Sequence, residues 1–389
     1  MRALRRRVLL VLAIGVGAFG WLPVIVSGAE APAASPSATP TDLNNRGVKE
    51  AQAGHLDVGV DYVRQAVKAA PQDAQFRSNL CAMLTDWAVQ VERRGEVDRA
   101  QALLEEAIEY GRDNGRAYVQ LGDLLYFRRS QFSDAVQYWK QAYGKIPAAE
   151  WQLISRRITQ AQRDQAIERG FAARQTAHFT IRLQGAAPVD VEALAGALER
   201  AYQSLSTQLG ELPAKLAVIV YTERDLQRLS NRPDWALGLY DGRIRLSLDE
   251  LNTPLGPSMA SHELAHAFLH QLYGPAVPTW VHEGFAQQQE APRPRTPREQ
   301  ELERGLRERT QWIPLKWLEA RFARPADEDD VLRVYAEARL AVQELVTRRG
   351  MSRFKAFLAA LAKGEPVEAA YDQAFAPSRW AQADQGVFE

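Results

Sequence analysis

From about residue 41 to residue 170, apolar positions recur at intervals of three and four with only short breaks, the spacing of one buried stripe per helix. From His178 onward the texture changes. The runs HFTIRL and KLAVIVYT are β-branched, apolar and of strand length, and a stretch of helical spacing, VDVEALAGALERAYQSLSTQLG, separates them. LGLYDGRIRLSL follows, with Arg243, Arg245 and Ser247 alternating against Ile244, Leu246 and Leu248. That alternation reads as a strand with one solvated face, lying at an edge of its sheet around Leu239–Leu248. The next segment, Gly256 to about Tyr273, reads as a helix, and after the turn YGPAVP a second helix opens with Pro278 near its first position. The pattern predicts a multidomain chain: an all-α part over residues 42–170, then an α+β part over residues 175–389.

Within the all-α part, three segments share one set of offsets. Gly59, Val63, Ala66 and Pro71 stand at relative positions 0, +4, +7 and +12, and Ala135, Trp139, Ala142 and Pro147 repeat them. Ala100, Leu104 and Ala107 match the first three, with Arg112 in place of the proline and extra residues around AVQVERRGEVD. Upstream of the third set, YVQLGDLLY carries Gly122 where a first helix needs a small residue for close approach. These offsets resemble the tetratricopeptide repeat, over about a third of the chain. The resemblance implies a short helical-repeat solenoid whose concave face takes a peptide or protein partner; it implies no chemistry.

The first residues carry a different signal. Arg2, Arg5, Arg6 and Arg7 precede an apolar run from Val8 to Val26, followed by Ser27-Gly28-Ala29. This is the layout of a secretory signal with cleavage near Ala29. At 19 residues the run is also long enough to span a bilayer as an uncleaved anchor. Residues 1–29 are therefore expected to be a signal peptide or membrane anchor and residues 30–41 an Ala/Pro/Ser-rich linker. Either way the body of the protein is exported, to a periplasmic or other extracytoplasmic location. Balanced charge, formally zero, with no basic run beyond the first few residues, argues against a nucleic-acid partner. The single cysteine, Cys81, can form neither an intramolecular disulfide nor a thiolate cage. Any metal site must draw on His, Glu and Asp.

Such a set lies in the predicted helix, in SHELAHAFLH. His262 and His266 are one turn apart on the same face, with Cβ atoms about 5–6 Å apart. Two imidazoles so placed both reach one zinc ion at about 2.0–2.1 Å. Glu263 points about 100° around the helix. It is poorly placed as a third ligand but well placed to accept a hydrogen bond from water on the metal. Leu269 and Leu272 stand where a metzincin would continue its motif, so that class is excluded.

Sixteen residues separate His266 from Glu283, which lies in Trp280-x-x-Glu283-Gly284-x-Ala286. The joint pattern resembles the gluzincins, specifically the peptidase MA-like relatives of the aminopeptidase N group, over about residues 175–389. The spacer is two residues shorter than in that group, and its amine-gripping G-A-M-E-N strand is missing. The resemblance implies a zincin-like peptidase domain holding Zn2+ through His262, His266 and Glu283, with Glu263 as the catalytic base. It also implies that Tyr335, near the start of the amphipathic helix RVYAEARLAVQELVTRRG, donates a hydrogen bond to the tetrahedral intermediate. His282 is the only rival third ligand. His270 and His282 otherwise read as packing residues, and Gln287, one turn after Glu283, as a possible support for it. The function expected is that of an exported zinc metallopeptidase acting on a peptide or protein substrate, with endopeptidase action favoured. Two alternatives stand beside it: a repeat scaffold with a vestigial zinc site, and a zinc hydrolase of a non-peptide amide.

Overall fold

A computed structural model describes residues 38–184, 190–212, 214–229, 238–253, 256–290, 295–308, 312–375 and 380–384. The predicted leader and most of the predicted linker lie outside these residues. Among the described residues, no helix is long and apolar enough to cross a membrane. The chain is mostly helical and divides into two compact units that part between Arg169 and Gly170.

Among its described residues the first unit is all helix: α1 (Pro40–Gln52), α2 (Leu56–Ala69), α3 (Ala74–Arg93), α4 (Val97–Tyr110), α5 (Gly115–Phe127), α6 (Phe132–Gln141) and α7 (Ala148–Ile167). Each helix packs on the next, and α1, α3 and α5 also touch in turn. The repeated offsets fall on one buried face: Val63, Ala66, Ala100, Leu104, Ala107, Ala135, Trp139 and Ala142 are all in the core. Small residues let the paired helices close up. A Cβ on Gly122 would overlap the Trp139 indole, and one on Gly59 would come within 2.7 Å of the Gly47 carbonyl. The extra residues of the middle segment lengthen α3 to 20 residues, against 13 in α1 and α5.

The second unit contains a mixed five-stranded sheet, in the order β1-β2-β3-β5-β4. A hairpin of β1 (Phe171–Gln175) and β2 (Phe179–Gln184) leads through α8 (Val191–Leu209) to β3 (Leu216–Tyr221), parallel to β2. After α9 (Glu223–Leu229), the short β4 (Gly238–Tyr240) turns back antiparallel onto β5 (Ile244–Ser247), which runs parallel to β3. The single turn α10 (Leu248–Leu251) then leads to α11 (Gly256–Tyr273) and α12 (Thr279–Gln288). The described elements that follow are helices: α13 (Pro297–Arg307), α14 (Leu315–Ala323), α15 (Glu328–Arg349), α16 (Met351–Ala362), α17 (Val367–Ala374) and α18 (Trp380–Asp384).

The segment expected as one edge strand around Leu239–Leu248 is two strands: the three-residue β4 lies at one edge of the sheet, and β5 is an inner strand. The polar face of β5 is not solvated: Arg243, Arg245 and Ser247 are fully buried. Alternation distinguishes two faces but does not reveal what covers them. Two of these side chains find partners inside the fold: Arg245 donates to Asp241 Oδ2 (2.9 Å) and the Tyr221 hydroxyl (2.8 Å), and Ser247 donates to Glu223 Oε2 (3.0 Å).

The other face carries the main core of the unit. Ile181, Val218, Val220, Ile244 and Leu246 share one cluster with Leu198, Tyr202 and Leu205 of α8 and Leu264 and Phe268 of α11. α11 is covered on nearly every side, with Ala260 and residues 262–269 all buried. An apolar helix enclosed this completely holds its polar side chains away from bulk water, and those side chains are histidines and a glutamate.

Candidate metal centre

His262 and His266 project from one face of α11, and α12 brings Glu283 opposite them. One ligand atom from each residue lies within 4.8 Å of the others. Both imidazoles turn Nε2 toward Glu283: His262 Nε2 is 3.4 Å from Glu283 Oε2, and His266 Nε2 is 3.8 Å from Glu283 Oε1. All three side chains are at most 1% exposed. Neither Nε2 has a hydrogen-bond partner among the described residues. Two enclosed Nε2 atoms directed at one buried carboxylate form a donor set that fits a metal ion. The identity of the ion is not specified by this geometry.

Each imidazole is also gripped from behind. His262 Nδ1 lies 2.8 Å from Glu290 Oε1, and His266 Nδ1 lies 3.4 Å from His282 Nδ1. Sequence reasoning missed Glu290. It lies just past the C-cap of α12, where helical spacing no longer applies and the sequence carries no signal for it. His282 stands beside His266 with ring centroids 5.6 Å apart, outside the three-residue ligand group. His270 packs edge-on against Tyr240 of β4. Gln287 does not support the Glu283 carboxylate. It donates to the main-chain carbonyls of Tyr335 (2.9 Å) and Glu283 (3.2 Å), tying α12 to α15.

Two further contacts position α12. A Cβ on Gly284 would run into the Ala338 carbonyl, so glycine allows α12 to approach α15 at the residue next to Glu283. Pro278, the N-cap of α12, has no side-chain acceptor. Glu319 of α14 fills that role instead, accepting from Thr279 N (2.8 Å) and Thr279 Oγ1 (2.5 Å).

Electrostatics mark the same region. Burial disfavours a charged His262, yet Glu283 and Glu290 on its two nitrogens push its pKa up to about 10. Burial and the neighbouring His262 and His282 hold His266 well below the usual range. Tyr335 is enclosed, its hydroxyl has no hydrogen-bond partner among the described residues, and its ring packs edge-on against Phe322. Burial, then the charges of Glu283, Glu263 and Glu290, push its pKa well above 10, so the phenol keeps its proton and sits in the field of all three carboxylates. Glu263 is fully buried on α11 beside His262. The five residues expected at a site therefore gather in one enclosed region of the second unit. No protein-family model matches the chain, and no curated protein matches it either.

Proposed function

We propose that the chain is an exported zinc-dependent peptidase of gluzincin type whose tetratricopeptide-like helices dock a protein or peptide partner. The observation that carries this reading is the enclosed His262–His266–Glu283 group, with both Nε2 atoms turned inward and both Nδ1 atoms engaged outward. Two imidazoles and a carboxylate are a hydrolytic zinc donor set, leaving a fourth position open. Bound there, zinc would supply Lewis acidity, polarising a scissile carbonyl and lowering the pKa of a water molecule.

The remaining work belongs to the chain's own side chains. Glu263, next in sequence to the first ligand and buried with it, takes the water's proton and delivers it to the leaving amine. Tyr335 keeps its proton near neutral pH and donates it in a hydrogen bond to the developing oxyanion. An extended substrate adds as a strand to β4, the sheet edge that packs against α11.

The test separates the two glutamates. Glu263→Gln keeps all three ligands and should bind zinc like the wild type while losing nearly all turnover of an unfolded casein substrate. Glu283→Ala should hold zinc far more weakly, and excess zinc should restore part of its turnover. Wild-type protein that binds zinc yet cleaves neither peptides nor other amides would instead point to a scaffold carrying a vestigial site.

A further inference from the structure

We infer that His282 is a positioning residue for His266: it accepts the Nδ1–H of that imidazole and so reserves Nε2 for a metal ion. The inference rests on the metal-site reading above and concerns a residue outside the ligand set. When Nε2 of a neutral imidazole is left for a metal, the ring proton is on Nδ1. His266 Nδ1 faces His282 Nδ1 at 3.4 Å, so His282 must present a lone pair there and carry its own proton on Nε2. The two rings lie 26° from parallel with centroids 5.6 Å apart, which also limits rotation of the His266 ring.

The two metal histidines are thus held by chemically different acceptors, a carboxylate for His262 and a neutral imidazole for His266. The chain supplies His282 from the position just before Glu283 on α12. One turn of α12 therefore carries both the third ligand and the group that orients the second. A displacement of α12 would loosen both contacts together.

Because the accepting atom is Nδ1, the substitutions can be chosen by shape. Asn places its side-chain oxygen close to where His Nδ1 stood. Gln carries its oxygen one bond further, near the Nε2 position, and Leu offers the bulk with no acceptor. Zinc affinity is measured by chelator competition on the full chain, with the visible spectrum of the cobalt-substituted protein as a readout of coordination and the melting temperature of the metal-free protein as the folding control. His282→Leu and His282→Gln should lose about 10–100-fold in zinc affinity with altered cobalt spectra. His282→Asn should stay close to the wild type in both. Should His282→Leu prove unfolded, the Asn and Gln pair still decides.

Wild-type affinity in His282→Leu or His282→Gln, or equal losses in the Asn, Gln and Leu variants, overturns the inference. Loss of zinc in every His282 variant together with full retention in Glu283→Ala would make His282 a ligand and overturn it as well. If His262→Ala, His266→Ala and Glu283→Ala all retain zinc, the metal-site reading itself fails, and the inference falls with it.

Discussion

Glu290 shows how much of a site depends on side chains no motif contains. Its carboxylate lies 2.8 Å from His262 Nδ1 and is 23% exposed, so it holds a buried imidazole from the rim of the site. Glu290→Gln keeps an oxygen in place but removes the charge, whereas Glu290→Leu removes the acceptor. Zinc affinity should therefore fall in both, by about 10–100-fold in the Leu variant and by less in the Gln variant. Chelator competition measures this, and an unchanged Leu variant would rule out the role. Glu337 supports a second prediction away from the metal. It is fully buried on α15 and accepts from Ile313 N at 2.8 Å. Burial pushes its pKa up to about 8, against the opposing effects of the Ile313 N–H and Arg333. The unfolded chain would ionise this group near 4.5. The stability contributed by the neutral carboxyl is then fully present below pH 4.5 and is lost as pH rises through about 8. Glu337→Gln retains the acceptor and cannot ionise. Its melting temperature relative to wild type should rise steadily from pH 5 to pH 8, and a pH-independent difference would contradict the assignment.

Elements were legible wherever the cause of their structure is local. The strands at HFTIRL and KLAVIVYT and the helices carrying HExxH and Glu283 follow from periodicity, turn residues and Pro278, and their bounds in the fold match the pattern closely. Causes that act across the chain left no such trace. Glu319 caps α12 from 40 residues away, the polar face of β5 is buried through Tyr221, Asp241 and Glu223, and the exposed FAARQ of β1 has no alternation to announce a strand. Gly284 lies between these cases: its neighbours in sequence suggest a motif, but only the approach of α15 explains why the residue must be glycine. Gly284→Ala should cost about 1–3 kcal/mol of stability, because the added carbon meets a main-chain carbonyl rather than a side chain that can move aside. Since Glu283 is its neighbour, zinc affinity should fall in the same variant. Thermal unfolding of the metal-free protein and chelator competition report the two effects separately. A variant with full stability and full affinity would show that α12 and α15 do not pack as described.

At the scale of the whole chain, the two units own separate cores. One apolar cluster draws only on residues 43–161, the other only on residues 179–383. Domains with their own cores fold alone when cut where few contacts cross, so the position of the cut is the substance of the prediction. The change in sequence texture suggests cutting near Gln175, but β1 begins at Phe171 and pairs along β2 from Phe171↔Gln184 to Gln175↔Thr180. A fragment beginning at Gly170 keeps that ladder intact. One beginning at Thr176 removes β1 and leaves the backbone groups of β2 unpaired along a strand rich in apolar residues, an invitation to intermolecular pairing. The Gly170 fragment should therefore be soluble, unfold in a single transition and bind zinc with the affinity of the full chain. The Thr176 fragment should aggregate or melt at a lower temperature. Sedimentation, thermal unfolding and chelator competition on the two fragments test this together. If the Gly170 fragment is insoluble, or soluble but unable to bind zinc as the full chain does, the second unit depends on the helical unit for its fold.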